Sequence, residues 1–189
     1  MKPTRFVNCI AIDDAPFPRN FKGDVKIVAT VFASLRLDGI LIGKIRKDGI
    51  NSTKNIISLI KNSKFFDHSN VILLQGIAFG GFNVVDAPKL YKALNKPVLI
   101  VARDFPNYRA IKETLLQKVP GGKKKWKLIE TLGPMERCYR CYIQRVGLSY
   151  DEAYKIIKYF TIYGNIPEPL RTAHLIASTF KDGISRGRA

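Results

Sequence analysis

Short apolar runs that alternate with helix-forming segments constrain the fold of this chain more than any other feature. Segments 71–74 and 98–102 are apolar and are bounded by polar or turn-forming residues. Segments 54–62 and 87–94 carry apolar residues at helical spacing. Short buried strands that alternate with helices form parallel crossovers in a sheet covered on both faces. The pattern therefore predicts an α/β fold.

Three strands are predicted before the first helix, and further helices after the last strand. Asp38-Gly39 provides a turn between the second and third strands, so we expect them to pair as an antiparallel hairpin. A chain of 189 residues without internal repeats suits one domain, so we treat residues 1–189 as a single unit. We predict a mixed sheet with three leading antiparallel strands, helices on both faces and a helical C-terminal portion. The leading strands are predicted at 6–12, 25–35 and 40–46, and the later helices at 108–116, 151–163 and 169–180.

The chain is strongly basic, with 32 Lys and Arg against 15 Asp and Glu and a net charge of +17. Such a charge favours a polyanionic partner through electrostatic steering and counterion release, although it also suits solubility or a hot or salty cytoplasm. A hydrophobic content of 46% excludes a disordered chain. The apolar runs fall short of the roughly 20 residues that span a bilayer. With three cysteines and no basic-then-apolar leader, we expect a cytoplasmic protein without a membrane partner.

Aspartates follow two of the predicted strands and are the first candidates for chemistry. Asp13 and Asp14 end the first strand, where successive side chains face opposite sides of a sheet. Asp48 ends the third strand. The plain interpretation of all three is turn formation. The functional one is a set of carboxylates that meet in a basic cleft and hold a divalent cation, as in two-metal phosphodiesterases.

The segment QGIAFGGFNVVD at 75–86 follows a buried strand and is rich in glycine. Glycines let a backbone approach a ligand closely, and Phe79 and Phe82 are candidates to stack on a base. The segment lacks the spacing of an NTP-binding P-loop, which excludes that class. The candidate nucleic-acid contacts in it are Gly76, Phe79, Gly80, Gly81, Phe82 and Asn83.

Residues 121–145 contain seven basic and two acidic residues, with Trp126, Tyr139 and Tyr142 among them. This composition has two interpretations. The segment either binds nucleic acid through phosphate contacts and aromatic stacking, or it is a solvated loop. The candidate phosphate contacts are Lys123, Lys124, Lys125 and Lys127. Arg171 and His174 near the C-terminus share a helix face at a spacing of three residues, so we expect both to point in neighbouring directions.

Cys138 and Cys141 form a single CxxC pattern. A structural zinc site needs two further ligands, for which Cys9, His68 and His174 are the candidates. The alternatives are a disulfide, or two reduced thiols on neighbouring turns.

Five motifs taken together resemble the archaeal endonuclease dU family, which is related to endonuclease V. They are AIDD at 11–14, DGINST at 48–53, QGIAFGGFNVVD at 75–86, PVLIVAR at 97–103 and PEPLRTAHLIAS at 167–178. The resemblance implies a ribonuclease H-like fold. It also implies metal-dependent cleavage of nucleic acid near a deaminated base such as uracil, and we expect DNA in preference to RNA.

The resemblance also implies roles for single residues. Asp13 matches the first-strand aspartate of endonuclease V, and Asp48 lies near the position of a glutamate there. Gln75 replaces an aspartate and precedes the matching Gly76. Arg103 replaces a lysine, and His174 stands where relatives carry His or Asp. Residues 40–53 have no counterpart of the PYIP-like wedge of endonuclease V.

The leading hypothesis is a Mg²⁺- or Mn²⁺-dependent endonuclease with no organic cofactor. In it Asp13 and Asp48 bind metal, while Asp14 or Asp86 compensates for the neutral Gln75. Arg103 and His174 contact phosphate or assist departure of the leaving group. The alternatives are a nucleic-acid-binding protein that has lost catalysis, and a binder of a nucleotide or modified base in the 75–86 loop. Whether the protein is a monomer or a dimer is left open by the sequence.

Overall fold

The computed structural model describes residues 6–185 as one mixed sheet with helices packed on both faces. The sheet has seven strands in the order β3-β2-β1-β4-β7-β9-β8, and β5 and β6 form a separate small hairpin. The strands are β1 (Asn8–Asp14), β2 (Asp24–Ala33), β3 (Arg36–Arg46), β4 (Val71–Gln75), β5 (Ala78–Phe79), β6 (Asn83–Val84), β7 (Val98–Ala102), β8 (Glu136–Cys138) and β9 (Cys141–Val146). The helices are α1 (Ser52–Lys61), α2 (Ala87–Leu94), α3 (Tyr108–Lys118), α4 (Gly122–Thr131), α5 (Tyr150–Phe160) and α6 (Glu168–Ser178).

The strand pairing confirms the predicted mixed sheet with three leading antiparallel strands. β1 pairs antiparallel with β2, and β2 antiparallel with β3. β1, β4 and β7 run parallel, with Ile12 opposite Leu74 and Leu74 opposite Ile100. These central strands are buried on both sides, which is why they read as continuous apolar runs rather than alternating ones.

Each face of the sheet has its own hydrophobic core. On one face, α1 and α2 pack on Ile10, Ile12 and Leu74. On the other face, α5 and α6 pack on Ala11 and Leu73. The predicted coverage of both faces is therefore confirmed. A third, smaller cluster of Val84, Leu115 and Ile129 joins α3 and α4 to the β5–β6 hairpin.

The segment after α3 differs from the prediction. A solvated loop is one of the two interpretations given for residues 121–145, but this stretch opens with α4, which begins at Gly122. A hairpin of β8 and β9 follows, and the sequence analysis missed it. β9 adds antiparallel to β7 and extends the sheet by two strands. Its strand signal is weak because β8 has only three residues and both strands carry arginines.

The CxxC pattern lies in this hairpin, so the two thiols are reduced as one alternative has it, but they pair across strands and do not lie on neighbouring turns. Cys138 and Cys141 face each other across the turn as free, buried thiols. Burial raises the pKa of the Cys141 thiol to about 12 and that of Cys138 to about 11. Within residues 6–185 no group of three or more His, Cys, Asp or Glu side chains is placed to hold a metal ion, so the zinc alternative fails there.

The topology places the carboxyl ends of β1, β4 and β7 at one edge of the sheet. Asp13 and Asp14, Gln75 and Arg103 all lie at or just after these ends. In α/β sheets, functional side chains gather at the carboxyl ends of parallel strands. Within residues 6–185 no helix is long and apolar enough to cross a bilayer.

Candidate active site

The centre of the site is a hydrogen bond between Asp13 and His174. Asp13 faces α6 because it alternates with Cys9 and Ala11, which lie in the core under that helix. The Asp13 side chain is only 6% exposed, and its Oδ2 lies 2.8 Å from Nδ1 of His174. Oδ1 of Asp13 accepts a hydrogen bond from the backbone N–H of Asp14. A carboxylate 161 residues away in the chain therefore orients the imidazole.

The electrostatics of this pair favour a protonated histidine. The hydrogen bond to Asp13 raises the pKa of His174 above its usual value, and partial burial and Arg103 oppose the shift. Arg103 follows β7 directly, and its positive charge acts on the imidazole. With Nδ1 engaged by Asp13, the other ring nitrogen, Nε2, is the one that can exchange a proton with a substrate.

Asp14 lies on the opposite face of β1, as the alternation of a strand predicts. Its Oδ2 accepts a 2.7 Å hydrogen bond from the backbone N–H of Gly80. Burial, followed by the charge of Asp13, raises the pKa of Asp14 to about 6. The ionised form of Asp14 is therefore destabilised in the folded protein, next to the Asp13–His174 pair.

Replacing Asp14 with asparagine should stabilise the protein at neutral pH. The raised pKa means that the folded state binds the proton more tightly than the unfolded chain, so the carboxylate costs stability above pH 6 and not below about pH 4. Asparagine keeps an acceptor for Gly80 and removes the charge. We expect a gain of about 1–3 kcal/mol near pH 7 that shrinks on acidification. Urea unfolding across pH, with the exposed Asp67→Asn as control, measures it, and an equal gain at low pH would contradict the explanation.

The side chain of Gln75 places a carbonyl oxygen without a hydrogen-bond donor at the same edge of the sheet as Asp13. It ends β4 opposite Val101, a member of the core under α5 and α6, so it shares the sheet face of Asp13. Its Oε1 is buried and has no hydrogen-bond partner among the described residues. A buried carbonyl oxygen without a donor is costly, and an amide oxygen beside a carboxylate is a ligand that a hard divalent cation accepts. Asp13 and Gln75 therefore fit such a cation.

Asp48 is placed at the same edge but on the side of Asp14. Its backbone N–H donates to the carbonyl of Gly80, and its Oδ1 accepts from the N–H of Phe82. Because Gly80 also donates to Asp14, one glycine residue links the two aspartates. Asp48 thus fixes the 80–82 loop, and its sharing of a cation with Asp13 stays a prediction.

Two candidate nucleic-acid contacts in the 75–86 segment are wrong. Phe79 is completely buried in the core and cannot stack on a base. Asn83 is also buried, and its amide joins Ser52, Arg46 and Asn51. Phe82 is partly exposed and stays a candidate. Gly76, Gly80 and Gly81 have positive φ, and a Cβ on Gly81 would overlap the carboxylate of Asp48.

The basic candidates separate by position on α4. Lys123, Lys124 and Lys127 are exposed, whereas Lys125 is 3% exposed and its Nζ donates to the carbonyl oxygen of Asp48 at 2.6 Å. The prediction that Lys125 is a phosphate contact like its exposed neighbours is therefore wrong. Arg171 forms two hydrogen bonds to the carboxylate of Glu168, which partly neutralises it.

Asp86 has a structural role in this protein. It is the N-cap of α2, and its Oδ1 accepts from the N–H of Lys89. Its backbone N–H donates to the hydroxyl of Thr53 in α1. A helix N-terminus accounts for a carboxylate there without a cation.

Sequence reasoning missed two features of the site. The first is the direct Asp13–His174 bond, since no local pattern links residues 161 positions apart. The second is the grouping of Lys54 and Lys89 with Lys124, which comes from the packing of three helices. The role of Asp86 as the N-cap of α2, in contrast, could have been predicted from the sequence, because an Asp followed by Ala-Pro is typical of a helix start.

The chain is similar to known proteins over almost its whole length. Residues 5–181 match the model of a family described as Endonuclease dU. A UPF0215 protein of Deinococcus radiodurans is 45% identical over 184 residues, which cover 97% of this chain and 94% of that protein. A crystal structure of a protein of unknown function from Archaeoglobus fulgidus has a TM-score of 0.86 and 33% identity, covering 93% of this chain and 99% of that one.

The fold is also that of endonuclease V. The structure of Ciona intestinalis endonuclease V, in complex with a DNA that contains an inosine followed by a ribo-adenosine, matches with a TM-score of 0.57 and 16% identity. The match covers 89% of this chain and 83% of that chain. The predicted ribonuclease H-like fold is thereby confirmed. Family and fold together support a nuclease-type function.

Proposed function

The chain belongs to the endonuclease dU family, and on that premise we propose that it is a metal-dependent endonuclease that cleaves DNA near deaminated bases such as uracil. The observation that carries the proposal is the buried Asp13 carboxylate, which binds His174 on one side and shares a sheet face with the unsatisfied Oε1 of Gln75. A carboxylate at the end of β1, a histidine on α6 and an arginine just after β7 suit hydrolysis of a phosphodiester.

His174 is proposed to donate a proton to the leaving oxygen. The bond to Asp13 fixes the imidazole through Nδ1 and raises its pKa, so the ring is protonated over a wider pH range. A positioned general acid contributes about 10²–10⁴-fold to such a reaction. Arg103 is proposed to offset the charge of the scissile phosphate, since it acts on the same imidazole from the end of β7.

Asp13 and Gln75 would hold the divalent cation, Mg²⁺ or Mn²⁺. Their oxygens are of the hard type that these ions prefer, and both lie on one face at adjacent strand ends. When bound, the cation would supply charge stabilisation of the phosphate oxygens and a more acidic water. Asp48 and Asp14, which hold the loop at Gly80, would keep the opposite side of the cleft fixed.

Cleavage of matched DNA duplexes tests the proposed function. We expect strand cleavage of a duplex with one deoxyuridine in the presence of Mg²⁺ or Mn²⁺, and none with EDTA. Duplexes with inosine or without a deaminated base measure the base preference. An RNA duplex of the same sequence measures the preference for DNA. Binding to all duplexes without cleavage under any metal condition would overturn the proposal.

That last outcome would support the second candidate, a nucleic-acid-binding protein on a nuclease fold. The observation in its favour is the neutral Gln75 at the strand end, together with the absence, over residues 6–185, of a group of three acidic, histidine or cysteine side chains placed for a metal. Saturation by a mononucleotide alone would indicate the third possibility, a nucleotide binder.

Replacing Gln75 with aspartate should tighten metal binding. An amide oxygen brings no charge to offset a cation, whereas a carboxylate does. We expect the Mg²⁺ concentration for half-maximal cleavage to fall several-fold, and calorimetric Mn²⁺ binding to strengthen in parallel. Gln117→Asp, an exposed change on α3, is the matched control. A swap that leaves both Mg²⁺ and Mn²⁺ binding unchanged would remove Gln75 from the metal site.

A further inference from the structure

A cavity separate from the Asp13–His174 pair lies where α1, α2 and α4 meet the β5–β6 hairpin. Its volume is about 710 Å³, enough for a nucleotide. We call it the three-helix cavity. It is lined by Gly49, Ile50, Thr53, Lys54, Val84, Asp86, Lys89, Pro120, Gly121, Lys124, Lys125 and Leu128.

The walls of the three-helix cavity are strongly cationic. Four lysines, Lys54, Lys89, Lys124 and Lys125, line it against a single acidic residue, Asp86. The Asp86 carboxylate is engaged as the α2 cap, and within residues 6–185 it forms no ion pair within 4.0 Å. Three exposed lysines that converge on one concave surface concentrate positive potential there.

Lys125 adds a fourth ammonium group to the cavity wall, and the charge of Asp48 acts on it. The side chain is almost completely buried, and its only described acceptor is the backbone carbonyl of Asp48. No carboxylate lies within 4.0 Å of Lys125 among the described residues. Lys125 therefore holds the loop at Asp48, and the attraction of the cavity for an anion comes from the three exposed lysines.

The helices approach this cavity with their N-terminal ends. Thr53 and Lys54 belong to the first turn of α1, Asp86 caps α2, and Gly121 caps α4. The N-cap residues of α1 and α4, Asn51 and Gly121, form no side-chain cap hydrogen bond. The dipoles of all three helices therefore add to the field of the lysines.

Apolar side chains complete the lining. Val84 and Leu128 are on the wall, and Ile50 at the edge is 85% exposed. Cations and apolar surface side by side suit a ligand with both a phosphate and a flat base or sugar.

We propose that the three-helix cavity binds a phosphate-bearing nucleotide unit, as part of a DNA strand that continues from the active site. The proposal rests on the proposed function for its substrate class. Continuity with the site comes through Asp48, which binds Lys125 through its carbonyl and Gly80 through its N–H. Gly80 in turn binds Asp14, so a short chain of hydrogen bonds joins the cavity wall to the candidate active site.

The test compares two triple variants with the same loss of charge. The first, Lys54→Gln/Lys89→Gln/Lys124→Gln, removes the exposed lysines of the cavity. The second, Lys61→Gln/Lys92→Gln/Lys118→Gln, removes exposed lysines of α1, α2 and α3 that do not line it. Lys125 is retained in both because its bond to Asp48 holds the loop. Thermal melting checks that both variants are folded.

Binding of a fluorescent single-stranded oligothymidylate is measured by anisotropy in EDTA at several salt concentrations. We expect the cavity variant to lose about tenfold or more in affinity and to lower the slope of log K against log salt by about 2, as expected for three lost phosphate contacts on a single strand. The control variant should lose much less. Competition by thymidine monophosphate distinguishes a free nucleotide from a unit that binds only within a strand.

Equal losses in the two variants would overturn the proposal, because net charge alone would then explain binding. The outcome is independent of catalysis, since EDTA removes the proposed metal. A protein that binds the oligonucleotide through the cavity yet cleaves no deoxyuridine duplex would refute the proposed function and leave this inference standing.

Discussion

Replacing Asp13 with asparagine should abolish cleavage, with a loss of about 10³-fold or more. The change removes the charge that orients His174 and raises its pKa, and it removes one of the two proposed metal ligands. Asparagine is close to aspartate in size, so β1 and its partners should remain in place. The measurement is single-turnover cleavage of a deoxyuridine duplex at saturating Mg²⁺.

The control for this prediction is Asp67→Asn, which neutralises an exposed aspartate. It should retain wild-type cleavage. Mn²⁺ binding by calorimetry separates the two roles of Asp13, because His174→Gln should weaken cleavage and leave Mn²⁺ binding nearly unchanged. Wild-type activity in Asp13→Asn would exclude this site as the catalytic centre.

Replacing Gly122 with alanine should cause the largest loss of stability. Gly122 is buried at the first position of α4, and a Cβ there would overlap the backbone carbonyl of Leu115 in α3. Since a backbone cannot rotate away as a side chain does, α3 and α4 must separate. Overpacking of this kind costs about 3 kcal/mol, which lowers the melting temperature by roughly 6–12 °C.

Gly164→Ala is the comparison for Gly122→Ala. Gly164 has a φ of +72°, and no atom lies within 4 Å of the position that an added methyl group would take. Alanine at position 164 therefore meets only backbone strain, about 1 kcal/mol. A larger loss at position 164 than at position 122 would contradict the close approach of α3 and α4. Because α4 carries Lys125, Gly122→Ala should also disturb the loop at Asp48.

Much of the architecture could be predicted from the chain. The alternation of apolar runs and helical segments gave the order of the main-sheet strands and helices through β7, and β-branched residues marked the long strands. It also placed Asp13, Gln75 and Arg103 at strand ends that meet at one edge. Boundaries shifted by a few residues, as with α6, which begins at Glu168. The β8–β9 hairpin was missed because its short, arginine-bearing strands are stabilised by pairing with β7.

The sequence by itself determined that Asp13 and Asp14 face opposite sides of a central strand, because side chains alternate along a strand. Only the tertiary structure decided which of them meets His174. That choice depends on α6 packing across β1 and β2, a contact between distant parts of the chain. The tertiary structure also decided the roles of the lysines on α4, which are Lys123, Lys124, Lys125 and Lys127. Four similar lysines became three exposed cations and one buried donor, because burial is set by what packs against a helix and not by the residues within it.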